Sequence, residues 1–374
     1  MKKRVKISGP FTPQFGKKPL SFVGRQDIVD DLLDGLYDSN SPMRTSVISG
    51  VRGSGKTALL SDICEELKNE RDWIVISVGA SDSILEDIFE QLLYQGKRVL
   101  DKEKFELVSA GLKASLFSLE FKKSKVEENS FYTKLMQVLD EVKGRNVSVL
   151  ISVDEVLRIE PIKILATTYQ LLLRQGYDIS LLLAGLPQNV LAVQNDDYLT
   201  FLKRAHHVFL KNIEMISFRL EYERIFLSEG KSFESDALDL AYLTTGGYPY
   251  LYQLIGYYIW KDSGVVIDIH CVRKAISHAV SDLTRNVLSI AVADLSHMER
   301  EFMFAMSLDS GASAISDIQK RLAKDANYVS QYRKSLVNRG LIERINRGEY
   351  RFTLPYMKHY LEETLKEDRF RAEI

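Results

Sequence analysis

Cysteine is scarce in this chain of 374 residues: Cys64 and Cys271 stand far apart with no C-x-x-C spacing. That excludes a disulfide framework and a cysteine zinc site, and it fits a reducing, cytoplasmic compartment. No uninterrupted apolar run reaches spanning length; the longest, around 179–184 and 248–260, are broken or flanked by Gly, Pro, Gln or charge, so no membrane contact is expected. The opening Met1-Lys2-Lys3-Arg4-Val5-Lys6 is basic but lacks a following apolar region, so it is not expected to act as a signal peptide. A dominant charge sign is missing too: 50 Lys and Arg face 51 Asp and Glu, for a net charge of −1. A nucleic-acid surface must therefore be sought in the distribution of charge, not in its sum. The length suggests two or three domains, and the apolar and charged fractions are those of a globular protein.

What is present organises itself around Ser46-Val47-Ile48-Ser49-Gly50-Val51-Arg52-Gly53-Ser54-Gly55-Lys56-Thr57. An apolar strand enters a glycine-rich loop matching G-x-x-x-x-G-K-[ST], and a helical pattern (Ala58, Leu59, Leu60, Ile63) leaves it. Backbone N–H groups converge on a phosphate where no Cβ intervenes and φ turns positive, hence Gly50, Gly53 and Gly55. The loop opens a helix whose first N–H groups and dipole favour an anion. Residues Gly50 to Ala58 are thus the expected phosphate cradle, with Lys56 on the β and γ phosphates and Thr57 on magnesium. The implied cofactors are ATP or ADP and Mg2+.

The second decisive stretch is Val147-Ser148-Val149-Leu150-Ile151-Ser152-Val153-Asp154-Glu155, a buried strand delivering two acids at its C-terminal end. Asp154 is expected to orient magnesium, and Glu155 to act as general base toward water. Further strands are read at Trp73–Val78, Ile179–Ala184 and Val208–Leu210. Arg204, just before the last, is the candidate finger for a neighbouring copy's site; an ordinary surface arginine is the other reading. His206 and His207 have no partner at metal-ligand spacing and read as structural.

Around this core the domain reading is a basic arm over 1–20, an ATPase core over 21–212, a helical lid over 213–288 and a last module over 289–374. The arm holds six Lys or Arg and no acid, punctuated by Pro10, Pro13 and Pro19; it either touches phosphate backbones or packs on the next domain. Alternating residues near 102–125 suggest an inserted hairpin. In the lid, Gly246-Gly247-Tyr248-Pro249 opens a helix, with Pro249 placed against an adenine base in one reading and merely starting the helix in the other. The last module reads as three helices and a hairpin, a winged helix-turn-helix, beginning at a Ser296/Glu299 capping box. From Gln319 to Arg351 nine Lys or Arg face three acids. Arg333, Lys334 and Arg339 fall on or beside the recognition helix and Arg344, Arg347 and Arg351 on the wing, the footprint expected on double-stranded DNA. Winged helices also dock on proteins, and that reading stays open.

With these residues in place, the chain resembles AAA+ P-loop ATPases of the archaeal and bacterial origin-recognition-like group. The likeness rests on Gly9-Pro10-Phe11-Thr12-Pro13-Gln14-Phe15-Gly16, Phe22-Val23-Gly24-Arg25, the two nucleotide motifs, Ala184-Gly185-Leu186-Pro187, Thr200 to Ala205 and Thr245 to Tyr250. It implies an α/β fold, a parallel P-loop sheet followed by a helical lid and a C-terminal winged helix, with ATPase activity and possible homo-oligomers. Two departures stand out. The strand end at Ala184-Gly185 lacks the polar residue that senses the γ phosphate in many relatives, and the lid turn lacks their arginine. A Gly and Pro in that turn are similar to signal-transducing ATPases of the STAND type. The leading expectation is a slow ATPase switch whose nucleotide state controls DNA binding or assembly. The rivals are a STAND-like signalling or scaffolding ATPase and an ATP-dependent, DNA-bound helper of transposition.

Overall fold

The computed structural model describes residues 9–14, 16, 23–97, 127–143 and 145–372. The hairpin expected over 102–125 and most of the basic arm lie outside them. The chain divides into two compact units, one of residues 27–49 and 59–209, the other of residues 1–26, 50–58 and 210–374.

The first unit is built on a parallel sheet. Its strands are β1 (Thr45–Ser49), β2 (Trp73–Gly79), β3 (Ser148–Asp154), β4 (Ile179–Gly185) and β5 (His206–Phe209), in the order β2-β3-β4-β1-β5. Parallel neighbours need crossovers, and the helices Ile84–Gly96, Glu127–Lys143 and Glu160–Arg174 supply them. Every residue of β4 is buried, as is the interior of β1 and β3. Burial on both faces is why these strands read as continuous apolar runs and not as alternation. Val149, Ile151, Leu181 and Leu183 pack with Ile88, Leu135, Leu165 and Tyr169 in one core. Strand β5 begins two residues earlier than its apolar run suggests, because His206 to Phe209 pair with Ser46 to Ser49. As an edge strand it leaves His207 and Phe209 exposed, so hydrophobicity is a poor guide to its limits.

The second unit is mostly helical. Helices Met215–Ser228, Ser235–Thr244, Pro249–Asp262 and Ile269–Leu283 occupy the stretch expected to form the lid. The short parallel pair β6 (Ser232–Phe233) and β7 (Val266–Ile267) joins two of its loops, an element the helical pattern did not announce. After a π-helical turn over Thr284–Leu288 and a helix over Ser289–Ala293 come His297–Ser307, β8 (Ser313–Ala314), Ile315–Leu322, Ala326–Asn338, β9 (Ile342–Asn346), β10 (Glu349–Phe352) and Met357–Ala372. The small antiparallel sheet runs β8-β10-β9, the element order of a winged helix-turn-helix. Ala323 at φ 50° makes the tight turn and Asp325 caps the next helix by accepting from Tyr328 N. One hydrophobic cluster runs from Phe11 through Phe218, Tyr252, Leu283 and Leu288 to Phe302, Leu336 and Leu361. The core is therefore continuous across the expected lid boundary at Leu288.

The described part of the N-terminal arm packs on the lid. Phe11 sits among the rings of Tyr222, Phe226 and Tyr252. Thr12 N donates to Gln253 Oε1 at 2.9 Å. A Cβ on Gly256 would lie 2.4 Å from the Phe11 ring, so glycine is what lets that ring seat on the helix.

Candidate nucleotide site and nucleic-acid interface

Gly50 follows β1 directly and Lys56 begins the helix Lys56–Asn69. Between them Gly53 (φ +72°) and Gly55 (φ +94°) take the left-handed conformation that closes a phosphate cradle. Gly50 has a different reason to be glycine: a Cβ there would meet Ser54 Oγ at 2.4 Å and Leu210 at 3.1 Å. Lys56 Nζ donates to the carbonyls of Gly50 and Val51, each at 3.1 Å, and so lies buried across the mouth of the loop. The Ser54 hydroxyl is buried without a hydrogen-bond partner among the described residues. A polyanion with many acceptor oxygens suits this donor set, and Val51, Arg52, Thr57 and Ala58 complete the loop.

Three side chains that the sequence reading did not place in the site hold the loop from behind. The guanidinium of Arg25, itself buried, donates to Ser54 O at 2.5 Å and to Lys211 O at 2.6 Å. Burial pushes its pKa down to about 10. Tyr248, wholly buried, donates from its phenol to Arg52 O at 2.5 Å. Its oxygen and Tyr250 Cβ stand 2.2 and 2.9 Å from where a Gly53 side chain would begin. Gly247 (φ +77°) accepts from Ile213 N at 2.8 Å and has Ile213 O at 2.3 Å from its missing Cβ, which clamps the other side of the lid turn. Pro249 occupies the first turn of its helix and is half-buried.

At the sheet, β1 and β3 end at the same edge: Val153 is level with Leu183, and Leu183 with Val47. Asp154 closes β3, with its backbone carbonyl bonded to Ala80 N and its Oδ1 accepting from Glu155 N at 2.9 Å. Glu155 takes φ +54° and is exposed. A left-handed glutamate is uncommon, and strain of this kind gathers at functional sites. Val156 then bonds back to Ala184 O and its side chain lies 2.7 Å from a Gly185 Cβ position. The bare end of β4 thus has a packing cause. Arg204 is exposed at the end of the 3-10 turn Thr200–Arg204.

The six basic residues expected on DNA separate into two groups. Lys334 and Arg347 are exposed, the latter at the hairpin tip beside Gly348 (φ +83°). The other four, of which Arg344 and Arg351 are also exposed, engage their own module. Arg339 Nε donates to the buried Glu299 carboxylate at 3.1 Å, Arg351 pairs with Glu343 at 2.7 Å, Arg344 bonds to Asn346 O, and Arg333 lies over the Tyr350 ring. Arg339 corrects the expectation most: with Ser335 it ties the helix Ala326–Asn338 to the helix His297–Ser307 through Glu299. The outward face of Ala326–Asn338 instead carries Asn327, Gln331 and Lys334, all exposed. Their spacing of four and three residues puts them on one stripe, a signal that a count of basic residues passes over.

Comparison with known proteins follows the same lines. Residues 21–170 match the model of the AAA ATPase domain, and residues 285–361 that of a domain of unknown function (DUF8462). Among solved structures, the chain is similar to the ORC2 protein of Aeropyrum pernix in ADPNP–ADP complexes. The identity is 14%, the coverage 96% of this chain and 98% of that one, and the TM-score 0.63. A Walker-type ATPase of Pyrococcus abyssi gives 15% identity, 92% and 97% coverage and a TM-score of 0.64. No curated protein matches the chain in sequence.

Proposed function

We propose that this chain, an origin-recognition-like P-loop ATPase, is an ATP-operated switch that controls binding or assembly on double-stranded DNA through its C-terminal module. The cradle Gly50 to Ala58 holds the phosphates, Lys56 neutralises their charge, and Thr57 with Asp154 holds magnesium. Bound nucleotide and metal supply the labile phosphoanhydride and the charge that polarises it. Glu155 accepts the proton of the attacking water. Arg204 serves a neighbouring copy's site and Pro249 lies against the base. Hydrolysis is slow, a reading supported by the glycine end of β4 and by a lid turn without arginine.

The observation that carries the DNA half is the stripe Asn327, Gln331 and Lys334 on the outward face of Ala326–Asn338. Amide and ammonium side chains on one exposed stripe match purine edges in a major groove, with Arg347 at the wing tip on the backbone. The test is a DNA titration at two salt concentrations, with ADP, with a non-hydrolysable ATP analogue and with neither. Affinity that falls with salt and depends on nucleotide is the expected result. Binding that ignores nucleotide, or no binding, refutes it. A second reading, a STAND-like scaffold docking on protein, draws support from the internal engagement of Arg333, Arg339, Arg344 and Arg351. It expects no salt-dependent DNA affinity.

A further inference from the structure

Two tyrosines on either side of Pro249 connect the P-loop to the π-helical turn. Tyr248 holds the carbonyl of the Arg52–Gly53 peptide, and the N–H of that same peptide belongs to the phosphate cradle. Tyr250 is buried with its Cβ against Gly53, its ring edge-on to that of Tyr248, and its hydroxyl 3.2 Å from Asn286 Nδ2, which donates to it. Asn286 lies inside the turn Thr284–Leu288, where the ladder slips to an i→i+5 bond from Ser289 N to Thr284 O. One helical path runs from Ile269 through this turn to Ala293, and Val287 and Leu288 within the turn are fully buried in the core shared with Phe302 and Leu361. A π turn accommodates one residue too many for an α-helix and is frequent at functional sites. Whether the turn persists depends on what holds its side chains, and here one of those holds is Tyr250.

We infer that Tyr250 and Asn286 form a relay by which nucleotide at the P-loop changes the π turn over Thr284–Leu288 and so reorients the helices that follow it. The inference rests on the nucleotide switch proposed above. A phosphate that draws the Gly53 N–H toward itself turns the peptide that Tyr248 grips, and the lid turn follows with Tyr250 on it. The same helix pair has a second rung farther from the loop, where Tyr258 donates to Asp282 Oδ2 at 2.6 Å. Asp282 also accepts from Arg285 within the turn through its other oxygen, so this rung is a contact with the turn that bypasses the P-loop and serves as the comparison.

The experiment is amide hydrogen exchange of peptides covering 283–289, in the full chain, with and without saturating Mg·ADP or a non-hydrolysable ATP analogue. A fluorescent ATP analogue measures binding in parallel. In the wild type, nucleotide is expected to change exchange there by at least about fivefold, the lower end of ordinary allosteric coupling. Asn286→Ala removes most of that change while the fluorescent analogue still binds, and Tyr258→Phe retains it. Tyr250→Phe, which keeps the ring and deletes only the hydroxyl, is the second variant and behaves as Asn286→Ala. A full nucleotide response in both Asn286→Ala and Tyr250→Phe overturns the relay. So does a wild type that binds nucleotide with no change at 283–289, although the DNA switch then survives if affinity for DNA still responds. Failure of the wild type to bind the analogue overturns the proposed function itself, and the relay with it.

Discussion

The contact between Tyr248 and the P-loop makes Gly53 the most informative glycine to replace, since the phosphate-loop motif leaves its position open. In Gly53→Ala the backbone must keep φ +72°, which costs an L-residue about 1–2 kcal/mol. The new Cβ would stand 2.2 Å from the Tyr248 oxygen, closer than any real contact. The phenol must leave Arg52 O, and a wholly buried hydroxyl then loses its partner at about 1–3 kcal/mol. Together these give about 2–5 kcal/mol, a large share of an ordinary domain's stability. Denaturant unfolding of four proteins measures it: wild type, Gly53→Ala, Tyr248→Phe and the double variant. With phenylalanine at 248 the nearest obstacles recede to 2.9 Å. The double variant should therefore be less destabilised than the sum of the singles, by about 1–3 kcal/mol. Additivity within about 0.5 kcal/mol, or a Gly53→Ala protein as stable as wild type, would refute the reasoning.

Three further expectations follow from the sites. Glu155→Gln should keep nucleotide binding and stop turnover, while Lys56→Ala should lose binding, both read by single-turnover hydrolysis and equilibrium titration; undiminished turnover in Glu155→Gln removes that residue from the chemistry. Arg347→Ala should lower the slope of log K against log salt for DNA by about one, whereas Arg339→Ala should leave the slope alone and lower stability by about 1.5–3 kcal/mol through the abandoned Glu299. Glu299 itself sets a pH limit. Burial raises its pKa, but the hydrogen bonds of Ser335 and Ser296 and the charge of Arg339 prevail, and the folded value lies below the ordinary one. Its contribution is therefore present above the unfolded carboxyl value and lost as pH falls through the folded one, so the acid limb of a thermal-unfolding profile should be shallower in Glu299→Gln.

The nucleotide loop and the acidic strand end were legible because each needs particular residue types at a fixed spacing beside a buried strand. The succession of helices and hairpin in the last module was legible from its turns and from the Ser296/Glu299 box, which the structure contains in full. Arg25, Tyr248 and Tyr250 were not, because their partners are backbone carbonyls and a glycine distant in sequence, and no local periodicity marks such contacts. Arg339 was misplaced for a related reason. A basic residue near a recognition helix looks the same in sequence whether it faces a groove or a buried glutamate forty positions away. The pair β6 and β7 escaped notice because two residues a strand is too short for an alternation to show.

The docking of Phe11 on the helix Pro249–Asp262 has a consequence for the newborn chain. Thr12 leaves the ribosome 241 residues ahead of Gln253, the residue that takes its N–H. Everything the sheet needs, residues 27–49 and 59–209, is synthesised in that interval. Domains fold as units in the order they emerge, so the sheet can assemble while the first segment still waits. Its pairing with the lid then closes a loop across most of the chain, a step of high contact order that comes late and sets the pace of maturation. A stall in translation just before residue 249 should accordingly yield a folded sheet with a protease-sensitive leading end, and release of the stall should protect it.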